Sequence, residues 1–218
     1  MPVAEHIQGY PSGIRRAQRF DRFPPGPAVR IVQAQAAAIH YRGARIPAGS
    51  PNMSASSTIE ISPARLPDDI ETVRGLFAEY VDSLGIDLSF QDVGAELAQL
   101  PGKYAPPRGA ILIARDGAGS ALGCVALRPW SQPGVCEIKR LYVRPAARGQ
   151  ALGRRLAEAV IAWAARAGYV RVLLDTLASM QAARQLYVAL GFRPVAAYYD
   201  NPVPGTLYMA LELEPGTA

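Results

Sequence analysis

The sequence predicts an α/β domain carried by one mixed sheet, on three observations. Strand-like runs at 110–115, 121–128 and 135–143 follow one another through short Gly- and Pro-bearing turns, as in an antiparallel meander. Helical and strand-like patterns then alternate from 150 to 190, the order that produces crossover connections. The strand at 135–143 leads straight into the first of these helices, so antiparallel and parallel pairs must share one sheet.

The elements follow in order. Residues 58–64 alternate like a strand, with Ile59 and Ile61 on one side. Pro67-Asp68-Asp69 opens a helix whose apolar positions Ile70, Val73, Phe77, Tyr80, Val81 and Leu84 keep helical spacing. A shorter helix is expected over 89–100, then a loop over 103–109 marked by two prolines. After the meander, Leu152, Leu156, Val160, Trp163 and Ala167 give one face of a helix over 150–167, stopped at Gly168. A strand at 170–175, a helix at 179–190 closed by Gly191, and final strands near 192–196 and 207–213 complete the pattern.

At 218 residues and 50% hydrophobic content, the chain can bury one sizeable core with an appendage. Its formal charge of +5 is confined to one end. Residues 1–52 hold seven arginines against Glu5 and Asp21, while the rest of the chain balances 16 basic with 16 acidic side chains. Affinity for a polyanion would therefore belong to that segment, and no nucleic-acid partner is expected of the domain. Residues 1–56 are expected to be a disordered basic extension and 57–214 the folded domain. Met53 is a candidate start, with an Arg-rich transit peptide as the competing reading of what precedes it. Cys124 and Cys136 sit in apolar runs without disulfide or metal spacing, which suggests a cytoplasmic protein with no metal. No apolar stretch approaches the ~20 residues of a membrane span.

The most informative stretch is Glu137-Ile138-Lys139-Arg140-Leu141-Tyr142-Val143, followed by Arg148-Gly149-Gln150-Ala151-Leu152-Gly153-Arg154. A strand, a small-residue turn and a helix N-terminus together present free backbone N–H groups and the positive end of a helix dipole, an anion site. An ordinary tight turn reads the same way. The stretch is neither a Walker loop nor a dinucleotide fingerprint. Within the strand, Ile138 and Leu141 are three apart and Leu141 and Val143 two apart, so alternation slips once near Lys139-Arg140. Either a β-bulge or burial of both faces explains the slip. On the later helix, Met180, Ala183, Tyr187 and Leu190 share one face, which makes Tyr187 a core aromatic when that helix is taken alone.

Taken together, these elements resemble the GNAT N-acetyltransferase superfamily over nearly all of 57–213. Residues Arg148 to Gly153 match its pyrophosphate motif Arg/Gln-x-x-Gly-x-Gly/Ala, with Ala151 in place of the first glycine. Ala183 to Phe192 match its later helix, with Met180 where asparagine is usual. The resemblance implies a three-layer fold: a mixed, mostly antiparallel sheet flanked by helices and split between two parallel strands. Acetyl-CoA would enter the split as co-substrate. Leu141, Tyr142 and Val143 would flank its pantetheine arm, and Arg148, Gly149, Gln150, Ala151, Leu152, Gly153 and Arg154 would hold its pyrophosphate.

A lysine-like amine has a pKa near 10.4, so freeing its lone pair at pH 7 costs about 4–5 kcal/mol and calls for a proton acceptor. Glu137, on the central strand, is the candidate base. Tyr187 is the candidate acid for the leaving thiolate, and it would also touch the cofactor. Attack would pass through an oxyanion held by backbone amide, with no covalent acyl-enzyme. Asp175 and Thr176, at a strand exit beside the split, and Tyr198, Tyr199 and Asn201, between the last strands, are candidates for binding a small, amino-acid-like amine acceptor. The first two helices and the loop at 103–109 are expected to help. The competing reading is a regulatory protein that binds acetyl-CoA without turnover. No membrane partner is expected, and homodimerisation stays open.

Overall fold

The computed structural model describes residues 58–86 and 89–214. The expectations for the basic extension and for Met53 lie outside the described residues. The elements are β1 (Glu60–Pro63), α1 (Ile70–Leu84), α2 (Val93–Ala98), β2 (Ala110–Arg115), β3 (Ala121–Pro129), β4 (Val135–Val143), α3 (Leu152–Arg166), β5 (Arg171–Thr176), α4 (Gln181–Ala189), β6 (Arg193–Val195) and β7 (Leu207–Glu212). The short helix expected over 89–100 is broken: a 3-10 turn at Ser89–Gln91 precedes α2, because Asp92 between them takes a left-handed backbone with φ 51°.

The seven strands form one sheet in the order β1-β2-β3-β4-β5-β7-β6. Every neighbouring pair is antiparallel except β4 and β5. Helices cover both faces, which is why β2 reads as an unbroken apolar run instead of alternating. Leu112, Val125, Leu127, Cys136 and Ile138 pack with α3 residues Leu152, Leu156 and Val160 and with Tyr187 of α4. On the other face Ile111, Ile113, Cys124, Ala126 and Tyr142 pack with Val73, Leu76 and Phe77 of α1. Asp69 ties the start of α1 to the end of β2, accepting bonds from the Arg65 amide at 2.7 Å and from Arg115 at 2.7 Å.

Two irregularities in β4 position the site. Its pairing with β5 stops after Val135↔Arg171, Cys136↔Val172 and Glu137↔Leu173, and beyond that point the two strands diverge. On the opposite side, Cys124↔Tyr142 and Ala126↔Lys139 leave Val125 facing two residues, Arg140 and Leu141. This is a β-bulge, and Arg140 is its left-handed residue at φ 58°. The extra residue inverts the facing of the strand: Ile138 belongs to the α3 face and Tyr142 to the α1 face. The slip in the sequence therefore comes from a bulge. Gly123 lies opposite Val143, where an added Cβ would sit 2.4 Å from the Tyr142 carbonyl oxygen.

Candidate functional site

The divergence of β4 and β5 opens a cleft with two adjoining parts. The larger is a cavity of about 870 Å3 walled by Leu141, Tyr142 and Val143, by the turn and first residues of α3, and by Met180, Ala183 and Leu186. Gly149 turns at φ 83° with nothing within 4 Å of where a side chain would begin. Ala151 is the N-cap of α3 at φ 53° and gives no side-chain cap. The first bond back to the cap comes from Arg155, at 3.1 Å, so the first-turn amides stay available to an anion. The helix begins two residues later than its spacing suggests because Gln150 and Ala151 belong to this turn.

The expected contributors divide by position. Leu141, Tyr142, Val143, Arg148, Gly149, Ala151, Leu152, Gly153 and Arg154 all line the large cavity, whereas Gln150 points outside it as an exposed turn residue. The Arg148 Nε donates to the Val143 carbonyl at 3.1 Å, and Arg154 pairs with Glu158 at 3.2 Å.

The smaller part, about 60 Å3, lies deeper between the strands and shares the walls Tyr80, Leu141, Met180 and Ala183 with the first. Lys139, Arg140, Asp175, Thr176, Tyr187 and Asn201 line it. The Lys139 Nζ donates to the Asp175 Oδ1 at 2.7 Å across the split, with both side chains close to fully buried. Tyr187 is 6% exposed and packs edge-on against Phe192. Burial pushes its phenol pKa up, and the nearby Tyr80 and Asp175 add to the shift. Burial also raises the Tyr80 phenol to about 12, against an opposing pull from Arg140.

Glu137, expected as a base at the split, sits at the last β4–β5 pair but is turned away from the cleft. It is fully buried, and neither part of the cleft is lined by it. Its Oε2 accepts from Arg128 at 2.6 Å and its Oε1 from the Tyr198 hydroxyl at 2.9 Å, with Lys139 3.9 Å away. A base must reach the proton it removes, and the carboxylate that faces the cavity is Asp175. Tyr198 likewise stands behind the wall, stacked edge-on with Trp130 and Tyr208. Tyr199 does not line the cleft but stands against its charged pair: its ring centre lies 5.9 Å from the Lys139 Nζ, and its hydroxyl accepts from the Asn201 Nδ2 at 3.1 Å. Of the variable parts, α1 and the following 3-10 turn contribute Tyr80, Phe90 and Gln91 to the wall, while the loop at 103–109 contributes no lining residue. Both histidines, His6 and His40, lie outside the described residues. Among the described residues no group of three His, Cys, Asp or Glu is arranged to hold a metal ion.

Sequence reasoning missed Tyr80, Lys139 and Arg140 as cavity residues. Tyr80 reads as part of the apolar face of α1, and the Lys139–Asp175 contact depends on how two strands diverge, which spacing does not encode.

A sequence model of the Acetyltransferase (GNAT) family matches residues 76–192, which takes in the split, the α3 turn and α4. An uncharacterised N-acetyltransferase of Schizosaccharomyces pombe is 46% identical over 161 residues, covering 74% of this chain and 99% of that protein. The chain belongs to the GNAT acetyltransferase family. The N-acetylaspartate synthetase of Danio rerio is 31% identical over 137 residues, covering 62% of this chain and 49% of that protein. A Salmonella typhimurium acetyltransferase structure with its cofactor acetyl-CoA shares the fold at TM-score 0.52 and 22% identity, over 73% of this chain and 96% of that one. This GNAT protein is an acetyl-CoA-dependent acyltransferase. Its uncapped α3 turn and large cavity suit an extended ligand with an anionic middle, as acetyl-CoA is.

Proposed function

We propose that the enzyme transfers the acetyl group of acetyl-CoA to the primary amine of a small molecule, by direct attack in a ternary complex. The observation that carries this reading is that the α3 turn, the split between β4 and β5, and Tyr187 line adjoining parts of one cleft. Amides of Gly149 to Arg154, Gln150 included, would hold the pyrophosphate, with Arg148 and Arg154 adding charge. Leu141 and Val143 would offer backbone to the pantetheine arm, with Tyr142 as wall. Bound there, acetyl-CoA supplies an activated acyl group.

The protein's own work is then proton handling and positioning. Asp175, held in place by Lys139, accepts the proton of the incoming ammonium directly or through water. As the N–C bond forms and the C–S bond breaks, the second amine proton passes to the departing thiolate, to which Tyr187 donates a hydrogen bond, leaving the amide and the free CoA thiol. Glu137 acts one contact back: with Arg128 and Tyr198 it fixes the stretch of β4 just before Lys139. Thr176, Asn201 and, behind it, Tyr199 bound the acceptor space. The name of the N-acetylaspartate synthetase relative supports an amino-acid-like acceptor. Two buried free thiols support a reducing, cytoplasmic setting.

The test is thiol release from acetyl-CoA with a panel of small primary amines, the acetylated products being identified by mass spectrometry. Turnover confined to protein or peptide amines would overturn the small-molecule reading.

A further inference from the structure

Arg140 is the residue of the cleft whose placement its structural partners do not explain. It is a bulge residue with a left-handed backbone, a conformation that costs a side-chain-bearing residue about 1–2 kcal/mol and that glycine takes freely. Its side chain is 2% exposed. The Nε donates to the Glu96 Oε1 at 2.8 Å, and the guanidinium stands 5.7 Å from the centre of the Tyr80 ring. The Nη2 is buried without a hydrogen-bond partner. An unpaired buried donor costs roughly 1–3 kcal/mol, more when charged. Strain and an unpaired buried donor thus fall on one residue, in the wall of the cavity beside the split.

Arg140 does not have its carboxylate to itself. Glu96 is shared between Arg140 and Lys103, whose Nζ lies 2.7 Å from the other carboxylate oxygen. Across the cavity Lys139 and Asp175 cancel each other. The Arg140 side of the cavity therefore keeps an unpaired guanidinium donor, and the Asp175 side carries a carboxylate. An acceptor with a carboxylate near its amine would meet both at once: the carboxylate would take the unpaired Nη2 once a small side-chain shift uncovers it, and the ammonium would face Asp175. Planar guanidinium–carboxylate pairing is directional, so it would orient the amine as well as bind it.

We propose that Arg140 is the specificity-determining residue for the acceptor, and that the acceptor is a small amine bearing a carboxylate, recognised through the Arg140 guanidinium. This rests on the small-molecule reading given above and names the group recognised.

The experiment measures kcat/KM by thiol release for the L-amino acids, each against its α-carboxamide, with aspartate and glutamate also against asparagine and glutamine. Carboxylate acceptors are expected to be favoured on the order of 10- to 100-fold. Arg140→Met should erase that preference through the KM of the acceptor, with the KM for acetyl-CoA unchanged. Arg140→Lys, which keeps the buried charge, should retain part of it and serves where Arg140→Met does not fold. Equal use of acids and amides by the wild-type enzyme overturns the proposal, as does a preference that survives in the Arg140 variants. Turnover on peptides alone removes the small-molecule reading and this inference together. Turnover on small amines without a carboxylate preference removes this inference only.

Discussion

Tyr187 illustrates how burial changes what a side chain can do. A phenol at its ordinary value near 10 can pass a proton to a thiolate at modest cost. Burial, with Tyr80 and Asp175 nearby, raises this one further. It therefore stays protonated through neutral pH and acts as a hydrogen-bond donor more than as a full proton donor. Tyr187→Phe is expected to lower kcat by about 10- to 100-fold while leaving the KM for acetyl-CoA nearly unchanged. Unchanged kcat in steady-state kinetics would return the residue to packing against Phe192. Asp175→Asn removes the proton acceptor, so kcat at pH 7 should fall by about 100-fold. A pH series should show that loss narrowing as pH rises toward the pKa of the amine, where free base forms without help. A loss that is constant with pH would assign Asp175 to positioning alone.

Ala151 shows the same economy for an element, the turn that starts α3. A left-handed N-cap suits glycine, and alanine there carries strain of about 1 kcal/mol. Ala151→Gly should raise the melting temperature and tighten acetyl-CoA binding, both readable by thermal shift with and without ligand; a lower melting temperature in the variant would show that the turn is unstrained. The regular elements were legible in the sequence because each carries one plain signal: the unbroken apolar run of β2 at 110–115 and the helical face from Leu152 to Val160. Departures from one period were legible only as anomalies. The slip at Lys139-Arg140 left a bulge and two-sided burial equally open, and did not reveal that Arg140 turns toward Glu96, a residue 44 positions earlier. The roles of Glu137 and Asp175 were not separable either. Both sit at the split on neighbouring strands, and which one faces the cavity follows from strand divergence and from the Arg128 and Tyr198 side chains that cover Glu137.

At the scale of the molecule, the Glu96 pairs join α2 to the centre of the sheet. Burial pushes the Glu96 carboxyl up, but the hydrogen bonds and charges of Arg140 and Lys103 outweigh it and bring the pKa from 4.5 to about 2. A depressed carboxyl stabilises the fold in full above its unfolded value, and that contribution drains away as pH falls through the folded one. The acid-sensitive window is thus about 4.5 down to about 2. Urea midpoints measured across this window should fall steeply in the wild type and less steeply in Glu96→Gln. At neutral pH the variant should be less stable by about 3 kcal/mol, since it leaves a buried guanidinium unpaired. A variant as steep as the wild type would place the acid sensitivity elsewhere.

The three residue pairs that join β4 to β5 are a narrow seam in an otherwise continuous sheet. Whatever occupies the gap beyond them binds only when both sides are folded and correctly spaced. Such a ligand adds RT ln(1 + [L]/Kd) to the free energy of unfolding. The thermal endurance of this enzyme is therefore not a fixed property of its chain. With acetyl-CoA in that gap, as proposed, it would rise with the concentration of the acyl donor and fall when the donor runs short.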